Sequence, residues 1–210
     1  MKRYFPLLVT VLGFVGIGAL AIARITALLG TAMFVPALVA FLGYVAWLTW
    51  ESHVSVRETE NHEADSDRGT MEFAAFAKVS LLVAALLPES AARPLVALLG
   101  IACMIVGIVI RMAAIRTLGE HYGHRIRRAA HIITAGPYRV IRHPAYLGTL
   151  LAHVGFVLVF LNGWSVAALF ALWVPAVVVR TVLEDQFLRA TPEYDAYADR
   201  VRARLFPGLF

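Results

Sequence analysis

Seven residues with chemical capacity lie close together in the second half of the chain. Tyr138, Arg139, Arg142, His143 and Tyr146 fall within nine positions, and Arg180 stands four positions before Glu184. Arginines and the free N–H groups of a helix start can hold an anion. Tyrosine rings attract cations, and a carboxylate can pair with an ammonium. Two structural roles compete with these. Arg and Tyr both favour the headgroup zone of a bilayer, and an exposed i, i+4 ion pair contributes only ~0.3–0.5 kcal/mol. Headgroup anchoring accounts for one or two such residues. It does not account for the order Gly136-Pro137-Tyr138, then Arg142-His143-Pro144, then Tyr146-Leu147-Gly148.

The elements that must position these residues are apolar. Of 210 residues, 60% are hydrophobic and 16% charged, and the mean hydropathy is +0.74. That composition predicts an all-α integral membrane bundle. Six apolar segments are expected at Leu7–Ala23, Ala32–Trp50, Phe73–Leu87, Leu95–Ile115, Ala145–Leu161 and Ser165–Val179. They form a single domain, with N-terminal membrane helices over 1–115 and a catalytic half over 116–210. Ala21-Ile22-Ala23 resembles a signal-peptidase site, but the first segment is expected to remain as a membrane helix. Asn162-Gly163-Trp164 predicts a tight helical hairpin, and the sixth segment should continue as a helix past Arg180. Pro36 and Pro175 should kink their helices. Pro144 should open a new helix, with its N–H groups towards the polar cluster.

Charge predicts the orientation. Arg116, Arg125, Arg127, Arg128, Arg139 and Arg142 follow the fourth segment, and Arg189, Arg200, Arg202 and Arg204 follow the sixth. The positive-inside rule puts both regions, and both termini, in the cytoplasm, as expected for a multi-pass protein of a bacterial inner membrane. The net charge of +5 reflects these flanks rather than a face for nucleic acid. Cys103 is the only cysteine and rules out an intramolecular disulfide.

The run HIITAGPYRVIRHPAYLG, His131 to Gly148, resembles the signature of the isoprenylcysteine carboxyl methyltransferase family, which is itself similar to the phospholipid N-methyltransferases. The resemblance continues through LGEHYGHRI upstream. Downstream it runs through Arg180 and Glu184, Tyr194 and Tyr197, and Arg202 with Pro207. It covers roughly Leu118–Phe210, while the first hundred residues match only in hydropathy. It implies S-adenosylmethionine as methyl donor, and a lipophilic or prenylated acceptor entering from the bilayer. It implies a cofactor set of His131, Ile132, Ile133, Tyr138, Arg142, His143, Pro144, Tyr146 and Glu184, with Arg180 as the residue facing the acceptor. Aligned on Gly136, the family's histidine falls at Ala130, whereas this chain has His131.

The chemistry of the donor agrees. Glu184 could pair with its ammonium, and Arg139, Arg142 or the helix start at Pro144 could meet its carboxylate. Transfer to a carboxylate needs no base, because a carboxyl of pKa about 4 is ionised at pH 7. The favoured reading is therefore carboxyl O-methylation of an isoprenoid or prenylcysteine-like acceptor. N-methylation of a lipid amine is the nearest alternative. An NADPH-dependent sterol-type reductase shares the Arg-His-Pro-x-Tyr run, but no Gly-x-Gly-x-x-Gly fingerprint accompanies it here. A non-catalytic membrane protein is the last alternative.

Other residues are expected to be structural. His121 and His124 have ligand-like spacing but no completing Cys or carboxylate, so no metal is expected. His153, alone on an apolar helix, should hydrogen-bond across helices or line a substrate route. Trp47, Trp50 and Trp164 are expected at the membrane interface, and Lys78 and Arg111 are expected to snorkel.

Overall fold

The computed structural model describes residues 5–56, 69–88, 93–119, 122 and 132–208, with side chains for these except 5–14 and 52–56. His131, His121, His124 and the acidic loop from Glu58 to Asp67 lie outside the described residues.

Among the described residues every regular element is helical. Six apolar helices run as α1 (Phe5–Thr26), α2 (Phe34–Val56), α3 (Thr70–Leu86), α4 (Pro94–Leu118), α5 (Pro144–Val159) and α6 (Gly163–Leu188). A short 3₁₀ turn, Gly136–Arg139, precedes α5, and a polar helix α7 (Pro192–Arg200) follows α6. Helices α4 and α6, with the Phe34–Glu51 part of α2, are long and apolar enough to cross a membrane. The protein is an integral membrane protein. Proline opens α4, α5 and α7, where no intrahelical N–H is needed.

The kink expected at Pro36 has no preceding helix to bend. Pro36 lies in the first turn of α2, which starts at Phe34, so it interrupts nothing. Pro175 stands just past a π-helical segment, Leu169–Trp173, which accommodates the missing donor within α6.

Helix α4 shows what sort of solvent surrounds the bundle. Leu95, Leu98, Leu99, Ile105, Val106 and Val109 face outwards and are more than half exposed. The inward face carries Ala97, Gly100, Met104, Gly107 and Arg111. Large apolar groups outside and small ones inside suit a lipid environment, where helices associate through close backbone approach. Gly100 meets Gly155 of α5, and Gly107 meets Gly148, in an antiparallel seam. A Cβ on Gly155 would stand 2.4 Å from the Gly100 carbonyl oxygen and 2.4 Å from the Met104 nitrogen. Backbone cannot yield as a side-chain tip can. Gly155→Ala is therefore expected to destabilise the folded protein by about 1–3 kcal/mol, which thermal unfolding in detergent would show as a lower midpoint. An unchanged midpoint would mean that the two helices can slide apart at no cost.

At the far end of the hairpin, Asn162 caps α6. Its side-chain oxygen accepts from the Ser165 amide at 2.8 Å, and its Nδ2 donates to the Ala84 carbonyl at 2.9 Å. The turn is thus pinned to the end of α3. Tyr138, Arg142 and Arg180 lie at the opposite end of the bundle.

Candidate functional site

Asp185 organises that end. It is completely buried near the end of α6, and its carboxylate accepts from four directions. Arg142 grips it with Nε at 2.8 Å and Nη2 at 3.1 Å. Tyr194 donates its hydroxyl at 3.0 Å, and Arg204 donates Nε at 3.0 Å. The His143 Nε2 stands 3.3 Å away. Arg142 also directs Nη1 to the carbonyls of Ala198, Val201 and Arg202 at 2.8–3.2 Å. All three of its nitrogens are thereby engaged with the protein itself.

The same cage draws in the C-terminal segment. The amides of Arg142 and His143 donate to the carbonyls of Ala203 and Arg204, both at 2.9 Å. Tyr197 donates its hydroxyl to the Tyr138 carbonyl at 2.7 Å, and Ile132 packs on Tyr194, Tyr197 and Ala198. Sequence reasoning singled out Arg142 and His143 but missed Asp185. A clue was present: an acid on the heels of an apolar helix, in a chain with buried cations needing partners.

Next to this cage stand Tyr146, Arg180 and Glu184. Arg180 is buried. Its Nε donates to the Tyr146 hydroxyl at 3.2 Å, and its Nη1 to the Thr70 hydroxyl at 3.3 Å. The half-buried Glu184 carboxylate lies beside the Tyr146 hydroxyl. Helical spacing puts Arg180 and Glu184 on one side of α6, and Tyr146 of α5 meets both. Tyr138 is buried in the 3₁₀ turn. Burial, and then the neighbouring Glu184 carboxylate, holds its phenol above the ordinary range, so it stays neutral at pH 7. Burial raises the Tyr194 phenol too, and pushes that of Tyr197 up to about 12. Among the described residues this end therefore offers neutral hydroxyls and rings, the half-buried Glu184 carboxylate and the buried Arg180 guanidinium.

Of the residues singled out in the sequence, Tyr138, Arg142, His143, Pro144, Tyr146, Arg180 and Glu184 all lie at this end of the bundle. Ile132 and Ile133 are half-buried, with Ile132 at the Tyr194–Tyr197 edge. Arg139 is exposed.

Arg111 corrects the snorkelling expectation. It is buried and grips Glu51 of α2 with Nε at 3.0 Å and with Nη2, while donating Nη1 to the Ala145 carbonyl at 3.1 Å and Nη2 to the Tyr122 hydroxyl at 3.0 Å. A buried guanidinium needs such a partner, and Glu51 was not recognised as one. Trp47 is also no interface anchor: it is 4% exposed and packs edge-on against His153. Trp164 is exposed at the hairpin turn, as an interfacial residue should be.

The chain resembles known proteins over this same region. Residues 99–190 match the model of the isoprenylcysteine carboxyl methyltransferase family. A probable protein-S-isoprenylcysteine O-methyltransferase of Oryza sativa subsp. indica is 38% identical over 138 residues, which is 62% of this chain and 72% of that protein. The chain belongs to the isoprenylcysteine carboxyl methyltransferase family. It is a membrane methyltransferase. Protein-S-isoprenylcysteine O-methyltransferase B of Arabidopsis thaliana is 32% identical over 108 residues, 49% of this chain and 55% of that one. A cobalt-zinc-cadmium resistance protein, CzcN, of Cupriavidus metallidurans is 44% identical over 87 residues, 40% of this chain and 38% of that one. Among the described residues no group of three His, Cys, Asp or Glu side chains could hold a metal. The family match begins on α4 and ends just beyond α6, so it includes both glycine-seam helices, Asp185 and the Arg180–Glu184 pair.

Proposed function

We propose that the protein moves a methyl group from S-adenosylmethionine to the carboxylate of a lipophilic, isoprenoid or prenylcysteine-like acceptor that arrives from the bilayer. The observation that carries this reading is the Tyr146 hydroxyl, which accepts from Arg180 and lies beside Glu184, an acceptor-binding cation and a donor-binding anion on one helix. The side chains fit the donor's chemistry. Glu184 suits an ammonium, the Tyr138 and Tyr146 rings suit a sulfonium or an adenine, and Ile132 and Ile133 offer apolar packing. These residues, with His143, Pro144 and the helix start behind them, would hold it. His131 belongs to the same set. When bound, S-adenosylmethionine would supply an electrophilic methyl on sulfur.

The chain's own residues do the rest. Arg180 holds the acceptor carboxylate, which is already ionised and needs no base. Tyr146 fixes the spacing between Arg180 and Glu184. The Asp185 cage keeps Arg142, His143 and the C-terminal segment in register, so Arg142 acts by positioning rather than by touching the donor. α7 and its tyrosines close over the site and exclude water. A carboxylate acceptor is favoured over an amine because Arg180 stands where the acceptor must come. A guanidinium attracts a carboxylate and repels an ammonium.

Glu184→Ala should weaken S-adenosylmethionine binding about tenfold, the scale of one hydrogen bond to a charged group. Isothermal titration would read it, and an unchanged dissociation constant would remove Glu184 from the site. The site end, with both termini, faces the cytoplasm by the distribution of arginines, and six helices cross the membrane. A cysteine placed at Gly163, which is exposed in the same turn, should then label only from the outside. Labelling from the cytoplasm alone would invert the topology.

A further inference from the structure

The centre of the bundle carries an arrangement that the methyl-transfer site does not use. His153 is completely buried on α5. Its Nδ1 faces the Thr149 carbonyl at 2.7 Å, so that nitrogen carries the proton and donates. Its Nε2 therefore accepts from the Tyr44 hydroxyl, 3.0 Å away. Both ring nitrogens are taken. Trp173 packs on the imidazole at 4.4 Å between centroids, and Trp47 packs on it from α2 at 5.7 Å.

Around this one ring, three polar atoms have no partner among the described residues: Trp47 Nε1, Trp173 Nε1 and Thr149 Oγ1. Their residues are 4%, 3% and 8% exposed. Unpaired buried polar groups are costly and rare, and three around a single side chain is a cluster. Thr149 is instructive. Thr26, Thr49, Thr117 and Thr181 each return the hydroxyl to the carbonyl four residues back. For Thr149 that carbonyl belongs to Ala145, which accepts from Arg111 instead. The hydroxyl is left to serve something else.

Indole N–H groups only donate. A donor set of two indoles and a hydroxyl, without a charge among them, suits a neutral oxygen with lone pairs. Position says where that oxygen comes from. Trp173 precedes Arg180 by seven residues, two turns and about 10 Å along α6. Tyr146, Thr149 and His153 follow one another at three- and four-residue spacing on α5, so they share a face. The cluster thus lies deeper in the bundle on the same side as Arg180 and Tyr146.

We infer that Trp47, Thr149 and Trp173 form an intramembrane selectivity site for a neutral oxygen function, a carbonyl or ether, borne about 10 Å from the carboxylate in the chain of the lipid acceptor. The inference rests on the acceptor reading of Arg180. It makes the protein selective for an oxygenated isoprenoid over a plain hydrocarbon chain.

The test uses purified full-length protein in detergent and two probes, a fifteen-carbon isoprenoid carboxylic acid and the same acid with a keto group at mid-chain. Ligand-dependent thermal stabilisation gives both dissociation constants. The keto acid should bind about five- to tenfold tighter, the worth of one or two hydrogen bonds. Trp173→Phe and Thr149→Val should abolish that preference while leaving the plain acid unchanged. If Trp173→Phe does not fold, Thr149→Val carries the test. Three results overturn the inference: no keto preference in the parent protein, a preference that survives both variants, or equal losses for both acids. Equal losses would mean that the cluster holds only a resident water or packs the core. Arg180→Ala should weaken both acids alike and keep their ratio. Failure of either acid to be methylated, with the keto preference intact, would count against the transfer reading alone.

Discussion

Replacing Arg180 by alanine should lower turnover about 100-fold or more, the scale expected when a positioning contact is lost, while S-adenosylmethionine affinity stays nearly intact. The argument is geometric. Arg180 is buried, and its Nε and Nη1 donate to neutral hydroxyls of Tyr146 and Thr70. Glu184, on the same side of α6, is assigned to the donor, which leaves Arg180 to the acceptor. Lys at 180 should rescue only partly, since an ammonium lacks the planar fork. Steady-state kinetics with saturating donor, set beside titration of the donor alone, would separate the roles. Loss of donor binding with turnover preserved at saturation would reverse them. No change in either would reduce Arg180 and Glu184 to a structural pair, and the carboxylate acceptor would lose its main support.

Asp185→Ala should destabilise the protein by about 3–5 kcal/mol, because it leaves Arg142 buried without its anion. For a chain of this size that corresponds to a fall of roughly 10 °C in the unfolding midpoint. Asp185 is wholly buried, and Arg142, Tyr194 and Arg204 all donate to it. Removing it releases the C-terminal segment from the amides of Arg142 and His143. Donor binding should fall with it, even though Asp185 touches no ligand. The double variant Arg142→Met/Asp185→Ala should recover part of the stability, since the most deeply buried of the cations that Asp185 pairs is then gone as well. Additive losses in the double variant would show that the two side chains act independently and that the cage is not what holds the tail.

Much of this was legible in the sequence, for reasons of local chemistry. Apolar runs of membrane length can satisfy their backbone only as helices, so all six apolar segments appear as helices with modest shifts at their ends. Pro144 opens α5 because of its fixed φ and missing N–H, and Asn162 with Ser165 forms a cap within four residues. The His131–Gly148 run carried the family resemblance. The tertiary structure decided the partners. Asp185, Glu51 and Tyr44 carry no local mark of what they bind. Their roles follow from Arg142 lying 43 residues from Asp185, Arg111 lying 60 from Glu51, and His153 lying 109 from Tyr44. Trp47 and Arg111 were read as interface residues because a tryptophan or arginine near a helix end looks the same in sequence whether it faces lipid or core. Which face points inwards depends on where the glycine seam lets α4 and α5 approach, and that is a property of two helices together.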